Sequence, residues 1–129
     1  MTINRLEFQG NPEELKEIEK MLKNVCPLTK KEEVLCFCNF SKYNNNDYKL
    51  PSSKQEVLKN VSCTYQVNNK TLIYTFNSVK DIFEIVRFLA VVVYYKEFNV
   101  EVIYHFTLPD GHGGKYRFFK NSLLADRTF

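Results

Sequence analysis

The spacing of apolar residues predicts a strand followed by a helix at the start of the chain. Thr2 to Gln9 is the predicted strand, and Gly10 permits the turn after it. Asn11, Pro12 and Glu14 have the residue types that are typical of the N-cap, the first helical position and the capping-box position. This combination predicts that a helix begins at Pro12.

The predicted first helix is amphipathic and runs from Pro12 to about Asn24. Its acidic residues lie near its positive end and its lysines near its negative end, as the helix dipole favours. The apolar residues fall on one stripe, which should face the core. The stripe consists of Leu15, Ile18, Leu22 and Val25, with Met21 beside it.

The middle of the chain gives weaker signals. Lys30 to Glu33 is a charged connector, and the apolar run from Val34 to Phe40 predicts a short strand or an extended segment. Lys42 to Pro51 is polar and rich in Asn, which indicates a surface loop. Ser53, with a Glu three residues later, predicts a short helix that ends near Asn60.

Regular alternation returns in the second half and predicts a β-hairpin. Apolar residues occupy every second position from Val61 to Val67 and again from Leu72 to Phe76. Asn68 to Lys70 supplies the turn between them. Ser78 then has the residue type of an N-cap, and Val79 to Tyr95 is the predicted long helix.

A second hairpin should close the chain. Val100 to Phe106 alternates as a strand, Leu108 to Gly114 is a glycine-rich loop, and Lys115 to Lys120 is the predicted final strand, followed by a short tail. Strands and helices in this order predict an α+β domain spanning residues 1–129, with an antiparallel sheet and helices packed on one face. The second face of such a sheet is either solvated or available to a partner.

Composition and charge exclude several functional classes. The formal net charge of +3 is too balanced for bulk nucleic-acid affinity and too positive for a mimic of the DNA backbone. The most apolar segment, Ile82 to Tyr95, contains Glu84 and Arg87 and is shorter than the roughly 20 residues of a bilayer span. The first residues also lack the apolar core of a signal peptide. We therefore expect a cytoplasmic protein with no membrane partner.

The four cysteines favour reduced thiols over a metal site. Cys36 and Cys38 are two positions apart, whereas structural zinc usually takes two Cys-x-x-Cys pairs. Cys26 and Cys63 stand alone in the sequence. We expect small buried thiols, no metal and no cofactor, with metal binding as the weaker alternative.

Several segments together resemble the YubB-type ferredoxin-like family of phage and plasmid proteins. The similar segments are Asn4 to Gly10, Pro12 to Leu15, Cys36 to Phe40 and Gly113 to Tyr116. The resemblance implies a ferredoxin-like fold and an accessory protein of a mobile genetic element. The family has no well-established activity, so the resemblance implies no catalytic residue.

Two histidines are the candidate bases at neutral pH. His105 lies on the same side of a predicted strand as Glu101, so an acid/base pair is one hypothesis and two solvent-facing residues the simpler one. His112 lies in the loop from Asp110 to Gly114, which could surround a phosphate with backbone N–H groups but lacks the Walker spacing. We favour a hairpin turn there.

The last predicted strand interleaves cations with aromatic rings, as RNA-binding sheets do. Alternation places Lys115, Arg117 and Phe119 on one face. It places Tyr116, Phe118 and Lys120 on the other. The simplest interpretation is a core face and a solvated face, and an RNA surface or a protein-docking edge are the alternatives.

The sequence therefore predicts a small non-catalytic binding protein that occupies a surface of a host protein or ribonucleoprotein complex. An inhibitor of a host defence system such as CRISPR is its most concrete form, by analogy of size and origin. The predicted binding residues are Lys115, Tyr116, Arg117, Lys120, Tyr43 and Tyr48. The alternatives are an RNA- or single-strand-binding module and a small nuclease-like enzyme that uses Glu101 and His105. The oligomeric state is left open.

Overall fold

The computed structural model describes residues 1–25, 30–37, 58–66, 70–120 and 122–128. Within these ranges the chain forms two helices, one six-stranded sheet and a separate pair of two-residue strands. The elements are β1 (Thr2–Gln9), α1 (Pro12–Leu22), β2 (Asn24–Val25), β3 (Glu32–Glu33), β4 (Lys59–Gln66), β5 (Thr71–Ser78), α2 (Phe83–Tyr95), β6 (Glu101–Thr107), β7 (Gly113–Phe119) and β8 (Ser122–Thr128).

The large sheet is antiparallel throughout and is built around β1. Its strand order is β4-β5-β1-β6-β7-β8, so β1 pairs with β5 on one side and with β6 on the other. The connection from β1 through α1 to β4 skips β5, which lies between those two strands. The connection from β5 through α2 to β6 likewise skips β1. The remaining neighbours are joined as hairpins. The predicted α+β class with an antiparallel sheet is confirmed.

The core lies on one face of this sheet. Even-numbered residues of β1, β5 and β6 are buried in one cluster with the apolar faces of both helices, as period-two alternation requires. The sheet contributes Leu6, Phe8, Leu72, Tyr74, Phe76, Val102, Tyr104 and Phe106. The helices contribute Leu15, Ile18 and Leu22 from α1 and Ile85, Val86 and Leu89 from α2, among others.

The start of α1 has the predicted capping chemistry. The Asn11 side chain accepts a hydrogen bond from the backbone N–H of Glu14 at 2.9 Å. The Glu14 carboxylate accepts one from the backbone N–H of Asn99 at 3.2 Å, which ties the helix to the segment before β6. Gly10 is required for space, because a Cβ there would lie 2.7 Å from Cγ2 of Val100.

The end of α1 differs from the prediction. The helix stops at Leu22, and Val25 belongs to the short strand β2, which pairs with β3. Val25 is therefore exposed instead of extending the apolar stripe. The predicted connector thus contains a strand, whereas residues 34–37 of the apolar run form no strand.

The second helix begins four residues later than predicted. Ser78 is the last residue of β5, and its hydroxyl donates to the Lys80 carbonyl at 2.5 Å. The N-cap residue of α2 is Ile82, which makes no side-chain capping bond. The apolar face of the helix is buried as predicted, and no helix in the described ranges is long and apolar enough to cross a membrane.

Two further predictions are wrong, and two lie outside the described residues. Residues 122–128 are not a tail but the edge strand β8, which pairs with β7. The predicted short helix cannot reach Asn60, because β4 already begins at Lys59. The polar loop from Lys42 to Pro51 and residues 53–57 of that helix lie outside the described ranges.

A buried polar network joins β1 to the start of α2. The Asn4 side-chain amide donates to the Ser78 hydroxyl at 2.8 Å, and its carbonyl accepts from the Tyr104 hydroxyl at 2.6 Å. The Tyr104 oxygen in turn accepts from the backbone N–H of Ile82 at 2.9 Å. A side chain from β6 therefore satisfies the backbone N–H of the N-cap residue, and the Asp81 carboxylate accepts from the N–H of Phe83, the first residue of α2, at 3.2 Å.

We predict that Tyr104→Phe destabilises the fold. The change leaves the Asn4 carbonyl and the Ile82 N–H buried without this partner, so the free energy of unfolding should fall by about 2 kcal/mol. Urea denaturation measures the loss. Tyr95→Phe is the matched control because Tyr95 is an exposed residue of α2. Equal midpoints for the two variants would contradict the role of the network.

Candidate functional site

The second face of the sheet carries the charged side chains. Odd-numbered residues of β1, β5, β6 and β7 point away from the core, and we call this surface the open face. Neither α1 nor α2 lies on it, because both pack in the core cluster on the other side. Ile73 and Ile103 are only half-buried there, and Lys115 and Arg117 are exposed.

Four basic side chains lie in register across the open face. Arg5 of β1 is directly opposite His105 of β6, His105 is opposite Lys115 of β7, and Lys115 is opposite Arg127 of β8. We call these four residues the cation row. Neighbouring strands lie about 4.8 Å apart, so the row crosses about 14 Å of the sheet.

This arrangement opposes stability within the sheet. Like charges directly opposite one another on antiparallel strands are destabilising. Burial lowers the pKa of His105 below its usual value, and the charges of Lys115 and Arg5 lower it further. The imidazole is therefore mostly neutral at pH 7, so that Arg5, Lys115 and Arg127 carry most of the charge of the row.

Two carboxylates lie beside the cation row. Glu7 is only 8% exposed, accepts a hydrogen bond from Gln9 and forms an ion pair with Arg5 at 3.0 Å. Oε1 of Glu101 accepts a hydrogen bond from Nε of Arg117 and forms an ion pair with its Nη2, each at 2.5 Å. Lys115 and Arg127 form no ion pair with another described residue. An anionic partner would therefore meet Lys115 and Arg127 at the β7–β8 end of the row.

The structure separates the predicted binding residues. Lys115 and Arg117 point out of the open face, whereas Tyr116 lies on the core side with its ring 4.6 Å from that of Phe83. Lys120 lies in the β7–β8 turn, with its ammonium 5.5 Å from the ring centroid of Phe119. Tyr43 and Tyr48 lie outside the described residues. The predicted alternation along β7 is confirmed for these residues, since Tyr116 and Phe118 lie on the core side and Lys115 and Arg117 are exposed on the other.

Arg5 and Arg127 are the members of the row that sequence reasoning missed. Arg5 lies on the predicted first strand, but only the pairing of β1 with β6 places it opposite His105. Arg127 lies in the segment predicted as a tail. Alternation identifies the face of a residue within one strand, and it does not identify which residues lie opposite one another on neighbouring strands.

The proposed acid/base pair is not assembled. Glu101 and His105 share the open face, but four residues of extended strand separate them by about 13 Å along the backbone. The Glu101 carboxylate is bound by Arg117, and His105 lies between Arg5 and Lys115. The geometry therefore provides no direct proton transfer between the two side chains.

The glycine-rich loop is a hairpin turn between β6 and β7, as favoured from the sequence. The N–H of Leu108 donates to the His112 carbonyl at 2.7 Å, and the N–H of Gly111 donates to Leu108 at 3.0 Å. The His112 imidazole lies 3.0 Å from the Asp110 carboxylate, and their hydrogen bond lowers the pKa of Asp110.

Within the described ranges, no three or more His, Cys, Asp or Glu side chains cluster so that they could hold a metal ion. Cys36 is buried. Cys63 is half-buried on β4, where burial raises the pKa of its thiol. Cys26 and Cys38 lie outside the described residues.

Comparisons with known proteins leave the function to be argued from this geometry. No protein-family model, no curated protein and no solved structure matches the chain. The similarity to the YubB-type family therefore stays a prediction from the sequence.

We predict that removing one charge from the centre of the cation row stabilises the protein. Lys115→Gln relieves the repulsion from Arg127 and should raise the free energy of unfolding by about 0.5 kcal/mol at low salt. Urea denaturation at two salt concentrations measures the gain, which should shrink as salt increases.

Lys16→Gln is the matched control, because Lys16 is an exposed residue of α1 with acidic neighbours at helical spacing. It should leave the free energy of unfolding unchanged or lower it slightly. A Lys115→Gln variant that is less stable than the wild type at low salt would show that the row is not repulsive.

Proposed function

We propose that this protein is a non-catalytic binding protein that occupies a surface of a host protein or ribonucleoprotein complex through its open face. The observation that carries the proposal is the cation row. Lys115 and Arg127 of this row carry like charges directly opposite each other, and an acidic partner would convert their repulsion into attraction to the row. A sheet that tolerates this arrangement is consistent with selection for binding rather than for stability.

We also propose that the fold is ferredoxin-like. In that arrangement two strand–helix–strand units each leave a gap that a strand of the other unit fills. The order β4-β5-β1-β6, with α1 and α2 in the two connections that skip a strand, supports the assignment. The hairpin of β7 and β8 then extends the sheet beyond β6.

An accessory protein of a phage or plasmid, acting in the host cytosol, is the biological setting that we propose from the resemblance. Inhibition of a CRISPR-type defence complex is its most concrete form. The near-neutral net charge supports steric blocking by one basic face over imitation of DNA.

Binding of RNA or single-stranded nucleic acid is the second candidate, because the cation row also suits phosphates. The rings of Tyr116 and Phe118, which would be the obvious stacking groups on β7, lie on the core side near Phe83. This placement leaves the half-buried ring of Phe119 as the one aromatic group of β7 on the side of Lys115 and Arg117, whereas sequence-tolerant single-strand binding generally stacks successive bases on several rings.

The proposal is tested by capture from a lysate of a bacterial host, with and without nuclease. We compare the wild type with Lys115→Gln/Arg127→Gln, and we use Lys16→Gln/Lys20→Gln as the control with the same change in net charge on α1. We expect a stoichiometric protein partner that survives nuclease, is lost with the first variant and is retained by the second.

Two outcomes would contradict the proposal. Equal capture by both variants would exclude the β7–β8 end of the open face as the contact surface. Recovery of partners only in the absence of nuclease would favour the nucleic-acid alternative.

A further inference from the structure

We propose that the cation row binds an extended acidic segment of a protein partner through carboxylates spaced along that segment, and that His105 makes the contact tighter in acid. This inference rests on the proposed function and names the chemistry of the partner. Arg5, His105, Lys115 and Arg127 are the binding residues.

The length of the row fits a short extended peptide. An extended chain rises about 3.3 Å per residue, and alternate side chains point to the same side, so carboxylates on alternate residues lie about 6.6 Å apart. Three such carboxylates span about 13 Å, close to the width of the row across its four strands. The spacing of the carboxylates differs from the spacing of the strands, and the long, flexible Arg and Lys side chains can reorient to compensate for this difference.

The surroundings of the row favour a protein partner over nucleic acid. Glu7 and Glu101 lie on the same face, beside Arg5 and Arg117. A continuous phosphate backbone would meet these carboxylates as well as the cations. A peptide can place neutral residues against the carboxylates and acidic residues against the cations.

A second copy of this chain is a poor partner for the same surface. A two-fold symmetric contact would bring the row of one copy against the row of the other. Lys115 and Arg127, which have no ion-pair partner in the described ranges, would then face cations instead of carboxylates.

His105 gives the contact a pH dependence. Arg5 of β1 and Lys115 of β7 lie directly opposite it, Glu7 and Arg117 lie two residues further along those strands, and Glu101 lies four residues away on its own strand. In the free protein, burial and the opposing cations lower the pKa of His105. A bound carboxylate would raise that pKa, so binding takes up a proton, and affinity should rise as the pH falls through the range between the bound and free pKa values.

The first experiment uses a fluorescein-labelled ten-residue peptide of alternating Glu and Ser, with alternating Gln and Ser as the uncharged control. Fluorescence anisotropy at low salt gives the dissociation constant at pH 7.5 and pH 5.5, a range in which the Glu side chains remain mostly ionised. We expect the acidic peptide to bind about fivefold more tightly at pH 5.5. Lys115→Gln/Arg127→Gln should weaken binding about tenfold at both pH values.

The two histidines provide a matched pair of variants. His105→Gln should lose the gain, so that its dissociation constant is the same at pH 5.5 as at pH 7.5. His112→Gln should keep that gain, because His112 lies in the β6–β7 turn next to Asp110 and away from the row. A gain that survives His105→Gln, or that disappears with His112→Gln, would overturn the role of His105.

The failure of this inference can be told apart from the failure of the proposed function. A ten-nucleotide oligouridine that binds more tightly than the acidic peptide, through the same residues, would overturn the choice of a protein segment. An acidic peptide that fails to bind, beside a captured partner that depends on the row, would overturn the extended-segment geometry and leave the proposed function in place. If neither binding nor capture depends on the row, both proposals fail.

Discussion

The pairing register of β1, β6, β7 and β8 is the constraint from which both faces of the molecule follow. Because strand side chains alternate with a period of two, the register that buries Leu6 and Tyr104 also places Arg5 and His105 on the opposite face. A slip of one residue would move cations into the core and apolar rings into solvent, at a large cost in free energy. The core therefore holds the cation row in its arrangement.

The same strand also anchors the second helix. Asn4 and Tyr104 lie on the core face and connect β1 and β6 to the N–H of Ile82 at the start of α2. A buried polar group that is fully hydrogen-bonded fixes position more strictly than apolar packing alone. Burial and this network thus supply the rigidity that allows the open face to present repelling charges without rearranging.

Local chemistry was sufficient to predict the elements whose signals are contained in a few adjacent residues. The capping residues of α1 and the alternation of β5 and β6 are of this kind. The predicted start of α2 was wrong because Ser78 has the residue type of a cap but belongs to β5. Asp81 and the distant Tyr104 instead accept from the N–H groups at the start of the helix. The edge strand β8 was missed because its stability comes from pairing with β7.

The binding surface could be predicted only in part for the same reason. Alternation along β7 correctly separated Lys115 and Arg117 from Phe118, but it gave no information on which residues lie across from them. Arg5 and Arg127 are more than a hundred residues apart and become neighbours of one row only through strand order. A property that depends on non-local pairing cannot be obtained from periodicity within one segment.

Binding of anions to the open face can be observed residue by residue in nitrogen–proton correlation NMR spectra recorded while the alternating Glu and Ser peptide is added. We expect the largest shift changes at Arg5, His105, Lys115 and Arg127 and their strand neighbours, with α1 and α2 unaffected. Changes centred on the helices, with the four strands unchanged, would contradict an anion-binding open face.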